Sequence, residues 1–260
     1  LVDRKLSDFK DEYFLATMLN ESSSQKEGII KSKTTFIEST KDLIISGPHI
    51  NVANPYFKTP RSVCKVKSDY DVIDTCNINK YYIQRTNFVK NCSEDEFEGK
   101  IPKTHWGEKI NNTYKLSSRA MLALGGERTL ISAILPKGAV HIHTIFSIIF
   151  KDTSLLAYSS ALFSSVPYDF FIKIAGKGFL QEALLYKLPI PKTKFVENLK
   201  LRALLLNCIT DSYSELWNSV WDEKYKLDLW AKEDIRLSAT KFANLTEVWT
   251  EKNPARTEYE

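Results

Sequence analysis

Four patterns in this 260-residue chain pair residue types that can do chemistry. Glu98-Gly99-Lys100 sets a carboxylate near an ammonium, as metal-dependent nucleases do around a scissile phosphate. The Pro-Asp pair that such sites need upstream is missing, and the segment reads as a loop of acidic residues, so the match is treated as coincidence. His141-x-His143 puts two imidazoles on one face of a strand, a geometry able to bind metal. No carboxylate or thiol stands at ligand spacing, so the pair reads instead as a polar strand face open to DNA. Gly176-Lys177-Gly178 precedes a predicted helix start, where free N–H groups and the helix dipole favour an anion. It does not satisfy the nucleotide-binding P-loop pattern, and glycines used only to turn the backbone would look the same. Finally, Lys58, Arg61, Lys65 and Lys67 cluster, followed by Arg85 and Lys90 beside Tyr81, Tyr82 and Phe88. Cations interleaved with aromatics suit phosphate and base contact, although a solvated loop shares that composition.

Asn54-Pro55-Tyr56-Phe57 resembles the Asn/Asp-Pro-Pro-Tyr/Phe motif of amino-methyltransferases, but it lacks the second proline. No Gly-rich methyl-donor loop precedes it, and the segment reads as an ordinary Asn-Pro turn. Cys64, Cys76, Cys92 and Cys208 show neither CxxC nor zinc-type spacing. A disulfide framework is not expected in a domain of this size, which makes a reducing cytoplasm the default compartment. Catalytic and metal-ligating residues are therefore assigned to none of these positions.

The elements that must position these residues are read from periodicity. Residues 3–19 carry Leu6, Phe9, Tyr13, Phe14 and Met18 at roughly helical spacing, which predicts an amphipathic helix, and 20–27 reads as a polar loop. Residues 28–36 and 43–52 look extended, with Gly47-Pro48 as a break. The polar stretch 54–109 is expected to be irregular and functional. Residues 128–135 and 140–150 are β-rich runs joined by a tight turn at Pro136-Lys137-Gly138, and in the second run alternate apolar residues from Val140 to Phe150 share a face. A helix follows over 155–165, a short buried strand over 168–174 and a helix over 179–186. Helical patterns close the chain over 195–221 and about 230–248. The expected fold class is α/β (α+β): a mixed twisted sheet followed by a helical C-terminal tail.

Composition is that of a globular domain, with 43% hydrophobic and 26% charged residues. No apolar run reaches the roughly 18 residues that a membrane-spanning helix needs, so no membrane partner is expected. The opening LVDRKLSDFK is neither a signal peptide nor an initiator Met, so the chain is expected to be part of a longer polypeptide. The net charge of +4 is unevenly spread. Residues 51–140 hold 14 Lys/Arg against 9 Asp/Glu, and residues 141–210 hold 8 against 4, whereas residues 211–260 hold 7 against 11. A basic body between mildly acidic ends suits a polyanion, because phosphate neutralisation dominates nucleic-acid affinity.

The blocks ANPYFKTPRSVC, SDYDVID, YYIQRTNFV, GERTLISAILPKGAVHIHTIFSIIF and YDFFIKIAGKGFLQEALLYKLPIP occur in that order. Together they resemble the TaqI-like specificity, or target recognition, domain of large bacterial type II restriction-modification DNA methyltransferases. The resemblance runs over roughly residues 45–260 and includes NCITDSYSELW and PARTEYE. It implies a reader of double-stranded DNA, coupled to a catalytic domain that flips the base and transfers methyl from S-adenosylmethionine. That domain lies outside these residues, so the chain alone is expected to be inert and without a cofactor of its own; the resemblance also allows a parent enzyme fused to an endonuclease. The division expected is 1–50 as N-terminal helix and connecting strands, 51–192 as recognition domain and 193–260 as helical C-terminal segment. The residues expected to touch phosphate or base are Lys58, Arg61, Lys65, Lys67, Arg85, Arg119, Arg128, Lys137, Lys173 and Lys177. Arg128 is equally suited to pairing with Glu127 or Asp169. A second reading makes the chain a structural domain that docks the catalytic modules, with the acidic segment 211–260 as the interface.

Overall fold

The computed structural model describes residues 4–260. The first half of the chain is built from short elements: β1 (Tyr13–Ala16), α1 (Glu21–Lys26), β2 (Ile30–Thr35) and β3 (Ile44–Ile45). β4 (Lys58–Pro60), β5 (Tyr70–Val72), β6 (Thr86–Lys90) and α2 (Glu94–Gly99) follow within the stretch expected to be irregular. Then come β7 (Lys115–Arg119), β8 (Ser132–Leu135), β9 (Val140–His141) and β10 (Ile145–Phe150). Helices dominate thereafter: α3 (Thr153–Ser164), α4 (Val166–Ile174), α5 (Glu182–Leu185), α6 (Val196–Asn207) and α7 (Ser214–Val220). The fold is mixed α and β, with its longer helices gathered in the C-terminal half.

The central sheet is antiparallel in the order β1-β10-β7-β8. Its middle strand β10 reads IFSIIF and is buried throughout, as expected of a strand covered on both faces. Leu116, Phe146, Ile148 and Phe150 face α3 and share one apolar cluster with Phe163 of α3, Leu204 of α6 and Trp217 of α7. On the other side, Ile149 joins Ile30, Phe88 and Phe97, while Ile145 joins Leu43, Ile45 and Ile50. The largest apolar cluster runs from Leu6 to Ala255 and so draws on all three segments of the expected division. The turn at Pro136-Lys137-Gly138 forms as expected, with Gly138 at φ +88°. It sends its two strands to different partners: β8 pairs with β7, whereas β9 pairs in parallel with β3.

Several elements differ from the sequence reading. The helix expected over 3–19 begins outside the described residues, and within them it is a 3₁₀ turn at Leu6–Phe9 followed by β1. Pairing of Tyr13 with Phe150 and of Ala16 with Ser147 decides the matter, since tertiary pairing overrides a helical spacing of apolar residues. The supposed loop 20–27 is α1, because the Asn20 side chain accepts from the Ser23 N–H and the His143 ring accepts from the Glu21 N–H. The expected strand 168–174 is α4: Ser165 caps it, a proline sits in its first turn, and Tyr168, Asp169 and Ile172 are its buried side. The helix expected from Phe179 shrinks to the single turn α5, because residues 178–180 are drawn out beside Ala120–Leu122. The helical reading of 195–221 splits into α6 and α7 around a bend at 208–213. Residues 230–248 form turns rather than a helix, pinned where Trp217 Nε1 donates to Thr246 O and Trp230 Nε1 to Ser238 O. All four cysteines are free thiols. Among the described residues no helix is long and apolar enough to cross a membrane.

Candidate nucleic-acid interface

β4 and β5 form an antiparallel hairpin in which Lys58 faces Val72 and Pro60 faces Tyr70. The ladder continues through Arg61 N–H to Asp69 O at 2.8 Å. Its loop is braced from within: the Asp69 carboxylate accepts from the Lys65 N–H at 2.8 Å and the Val66 N–H at 3.0 Å. These two bonds hold the Asp69 carboxyl below the usual carboxylate range. Arg61 Nε donates to Asp71 at 2.8 Å, an exposed pair of the kind that contributes little. From just before β6, Arg85 supports the base of the hairpin. Its N–H reaches Thr59 Oγ1, Nη1 reaches Pro60 O at 3.4 Å, and its guanidinium lies 4.4 Å from the centroid of Phe36.

Beside the hairpin run two adjoining clefts, of about 340 Å³ and about 600 Å³, which share Pro48, Lys67 and Thr144. Lys58 and Arg119 line the first, and Lys65 and Val66 line the second. Arg119 Nε donates to Gly47 O at 2.9 Å and Nη2 to Ile50 O at 2.6 Å, which ties the first cleft's wall to the central sheet. Burial lowers the Arg119 pKa from its ordinary value. Lys58, Lys65 and Lys67 form no ion pair among the described residues. They gather positive charge along one trough, a feature that concentrates anions, with Asp69 the carboxylate that feels the Lys65 charge. Glu21 in the second cleft is the acidic exception.

The fold thus brings together Lys58, Arg61, Lys65, Lys67, Arg85 and Arg119 from the expected contact set. Arg128 donates to Ser164 O at 2.8 Å and lies 3.4 Å from Asp169, the second of its two expected partners. Lys173 Nζ donates to Gly126 O at 2.8 Å, and Lys137 is bound to Glu215 while lying over the Tyr114 ring. Lys177 is exposed, but no helix starts at its glycines, so the helix-dipole basis for an anion clamp there is gone. Sequence reasoning missed Pro48, Thr144 and Tyr70 as cleft walls. They lie far apart in the chain and carry no shared pattern.

The other motifs are absorbed by structure. Asn54 Oδ1 accepts from the Tyr56 N–H at 2.8 Å, and the buried Tyr56 hydroxyl pairs with Thr210 Oγ1 at 2.7 Å. That ring is not available to stack on a base. Glu98 lies on α2 rather than in a loop, and accepts from Lys109 Nζ at 2.6 Å and Asn111 Nδ2 at 2.8 Å, while Lys100 pairs with Glu27. His141 is fully buried in β9, whereas His143 is exposed in the turn that follows Ile142, so the two do not form a DNA-facing strand surface. Its Nδ1–H donates to Ile142 O at 3.0 Å, so its Nε2 accepts from the Ser147 hydroxyl at 2.7 Å. Ser117 in turn donates to Ser147 Oγ at 2.6 Å. Burial pushes the His141 pKa down to about 3. Among the described residues no cluster of three or more His, Cys, Asp or Glu could hold a metal ion.

No protein-family model matches the chain, and no curated protein matches it.

Proposed function

We propose that this chain is a DNA target recognition domain of a bacterial type II restriction-modification methyltransferase, working in the cytoplasm. In this reading it holds double-stranded DNA for a catalytic methyltransferase domain that lies outside these residues and uses S-adenosylmethionine. The observation that carries the proposal is the trough beside the β4–β5 hairpin, lined by Lys58, Lys65 and Lys67, none of which forms an ion pair among the described residues. The ordered sequence blocks that resemble such domains support it, as does the basic charge of residues 51–210. No methyl-transfer step is assigned to this chain: the Asn54–Phe57 turn uses its own polar groups internally and buries its tyrosine. Binding of the chain to duplex DNA, followed against salt, tests the reading. The expected result is an affinity whose logarithm falls linearly with log[salt], with a slope near −0.9 for each phosphate contacted. Absence of salt-sensitive affinity at low ionic strength would overturn it.

A second reading, a docking domain for the catalytic modules, draws on a different surface. Leu229 is 74% exposed in the acidic segment 211–260, and Leu227 and Ile235 beside it are exposed as well. If docking is the function, Leu229→Asp abolishes association with the catalytic domain and leaves DNA affinity unchanged.

A further inference from the structure

Within the DNA-reading proposal, on which this step rests, one element must meet the bases. The β4–β5 hairpin is a two-stranded ribbon, and strands in such a pair lie about 4.8 Å apart. The major groove of B-form DNA, about 12 Å wide, admits a ribbon of this kind, and the minor groove is only about 6 Å wide. The tip runs Arg61-Ser62-Val63-Cys64-Lys65-Val66-Lys67, alternating cations with valines. Val63 is 67% exposed and Val66 58% exposed. Single exposed valines are unremarkable on a protein surface. Val66, however, sits between Lys65 and Lys67 where the Asp69 carboxylate fixes the loop backbone, and Val63 sits between Arg61 and Lys65, with neither lysine in an ion pair among the described residues. A preformed tip binds without first losing conformational entropy. Phosphate has no use for a valine methyl, but the major groove edge of an A·T pair carries the thymine 5-methyl group.

We infer that the β4–β5 hairpin enters the major groove, where Val63 and Val66 pack on thymine 5-methyl groups while Lys65 and Lys67 hold the flanking phosphates. Arg61 is freed for a phosphate at little cost, because its pair with Asp71 is solvent-exposed.

The test uses the whole 260-residue chain. Duplexes enriched by the wild type from a randomised pool give a consensus, which is then resynthesised with uracil in place of thymine, removing only the methyl groups. The expected result is a loss of about fourfold in affinity for each methyl contacted, the equivalent of one buried CH₂. The Val63→Ala/Val66→Ala variant should show the same loss on thymine DNA, no further loss on uracil DNA, and an unchanged salt slope. A consensus without thymine, a uracil substitution without effect, or a uracil loss that persists undiminished in the variant overturns the groove assignment. The uracil arm needs no variant, so it stands even if alanine disturbs the loop. A normal salt slope with no uracil effect sinks this inference alone. Absence of salt-sensitive binding sinks the DNA-reading proposal and this inference with it.

Discussion

Lys65 and Arg119 border adjoining clefts, yet their charges are used differently. Lys65 is exposed with no ionic partner among the described residues, whereas Arg119 gives two hydrogen bonds to the carbonyls of Gly47 and Ile50. Lys65→Ala should therefore weaken binding evenly across DNA sequences and flatten the salt slope by about 0.9, with the melting temperature unchanged. Arg119→Ala should cost on the order of 2 kcal/mol of stability, measured by denaturant unfolding, because charge-assisted bonds to buried carbonyls are lost. Residue scale also sets the pH response. His49 and His141 are buried, and burial pushes their pKa values down to about 4 and about 3. The unfolded chain then binds protons before the folded one, so stability is full above about pH 6.5 and falls as pH drops from there toward 4. Each histidine contributes about 1.4 kcal/mol per pH unit to that decline. His141→Asn should remove one histidine's share of the slope between pH 6 and 4.5, read from unfolding curves at successive pH values.

At the scale of elements, legibility followed how local each signal was. Residues 132–135, 145–150 and 153–164 were readable because an apolar run or a helical repeat, with a glycine turn nearby, is contained in a few neighbours. β1 was not readable, because what makes it a strand is Phe150 across the sheet. α4 had local signals in Ser165, Pro167 and Asp169, but an apolar run such as FFIKI fits a buried strand as well. The turn between β8 and β9 carries a sharp prediction. A Cβ on Gly138 would stand 2.6 Å from Thr40 Oγ1 and 2.9 Å from Lys41 N, and the glycine's φ is +88°. Gly138→Ala should accordingly cost roughly 2–3 kcal/mol, seen as a lowered denaturation midpoint, since neither the clash with backbone nor the left-handed conformation can relax freely.

The whole molecule is closed by its C-terminal segment. Arg256 donates to Thr75 O at 3.1 Å, Ile78 O at 3.0 Å and Ile209 O at 2.7 Å, and Trp249 Nε1 donates to Cys208 O at 2.8 Å. Residues 74–82, the bend after α6 and the tail are thereby locked to one another. Arg256→Ala should lower stability by on the order of 3 kcal/mol through the lost bonds to these carbonyls. It should also open residues 228–241 to limited proteolysis, while duplex affinity well below the melting temperature stays unchanged, because the trough lies on other elements. The candidate site was half legible at this scale. Its lysines announced themselves as a cluster at 58–67, but the walls at Pro48 and Thr144 reach it only through folding.

The sequence by itself determined the basic body, the apolar runs that become β8 and β10, the helices α3 and α6, and the turn at 136–138. These depend on composition and short-range periodicity, which a linear chain displays openly. Only the tertiary structure decided the sheet order, the change of residues 13–16 from helix to strand, and which cations remain unpaired. Those outcomes depend on partners far along the chain: Asp169 for Arg128, Glu215 for Lys137, and the carbonyls of Gly47 and Ile50 for Arg119. A cation's type is written in the sequence, but whether its charge is free to meet a phosphate depends on what folding places beside it.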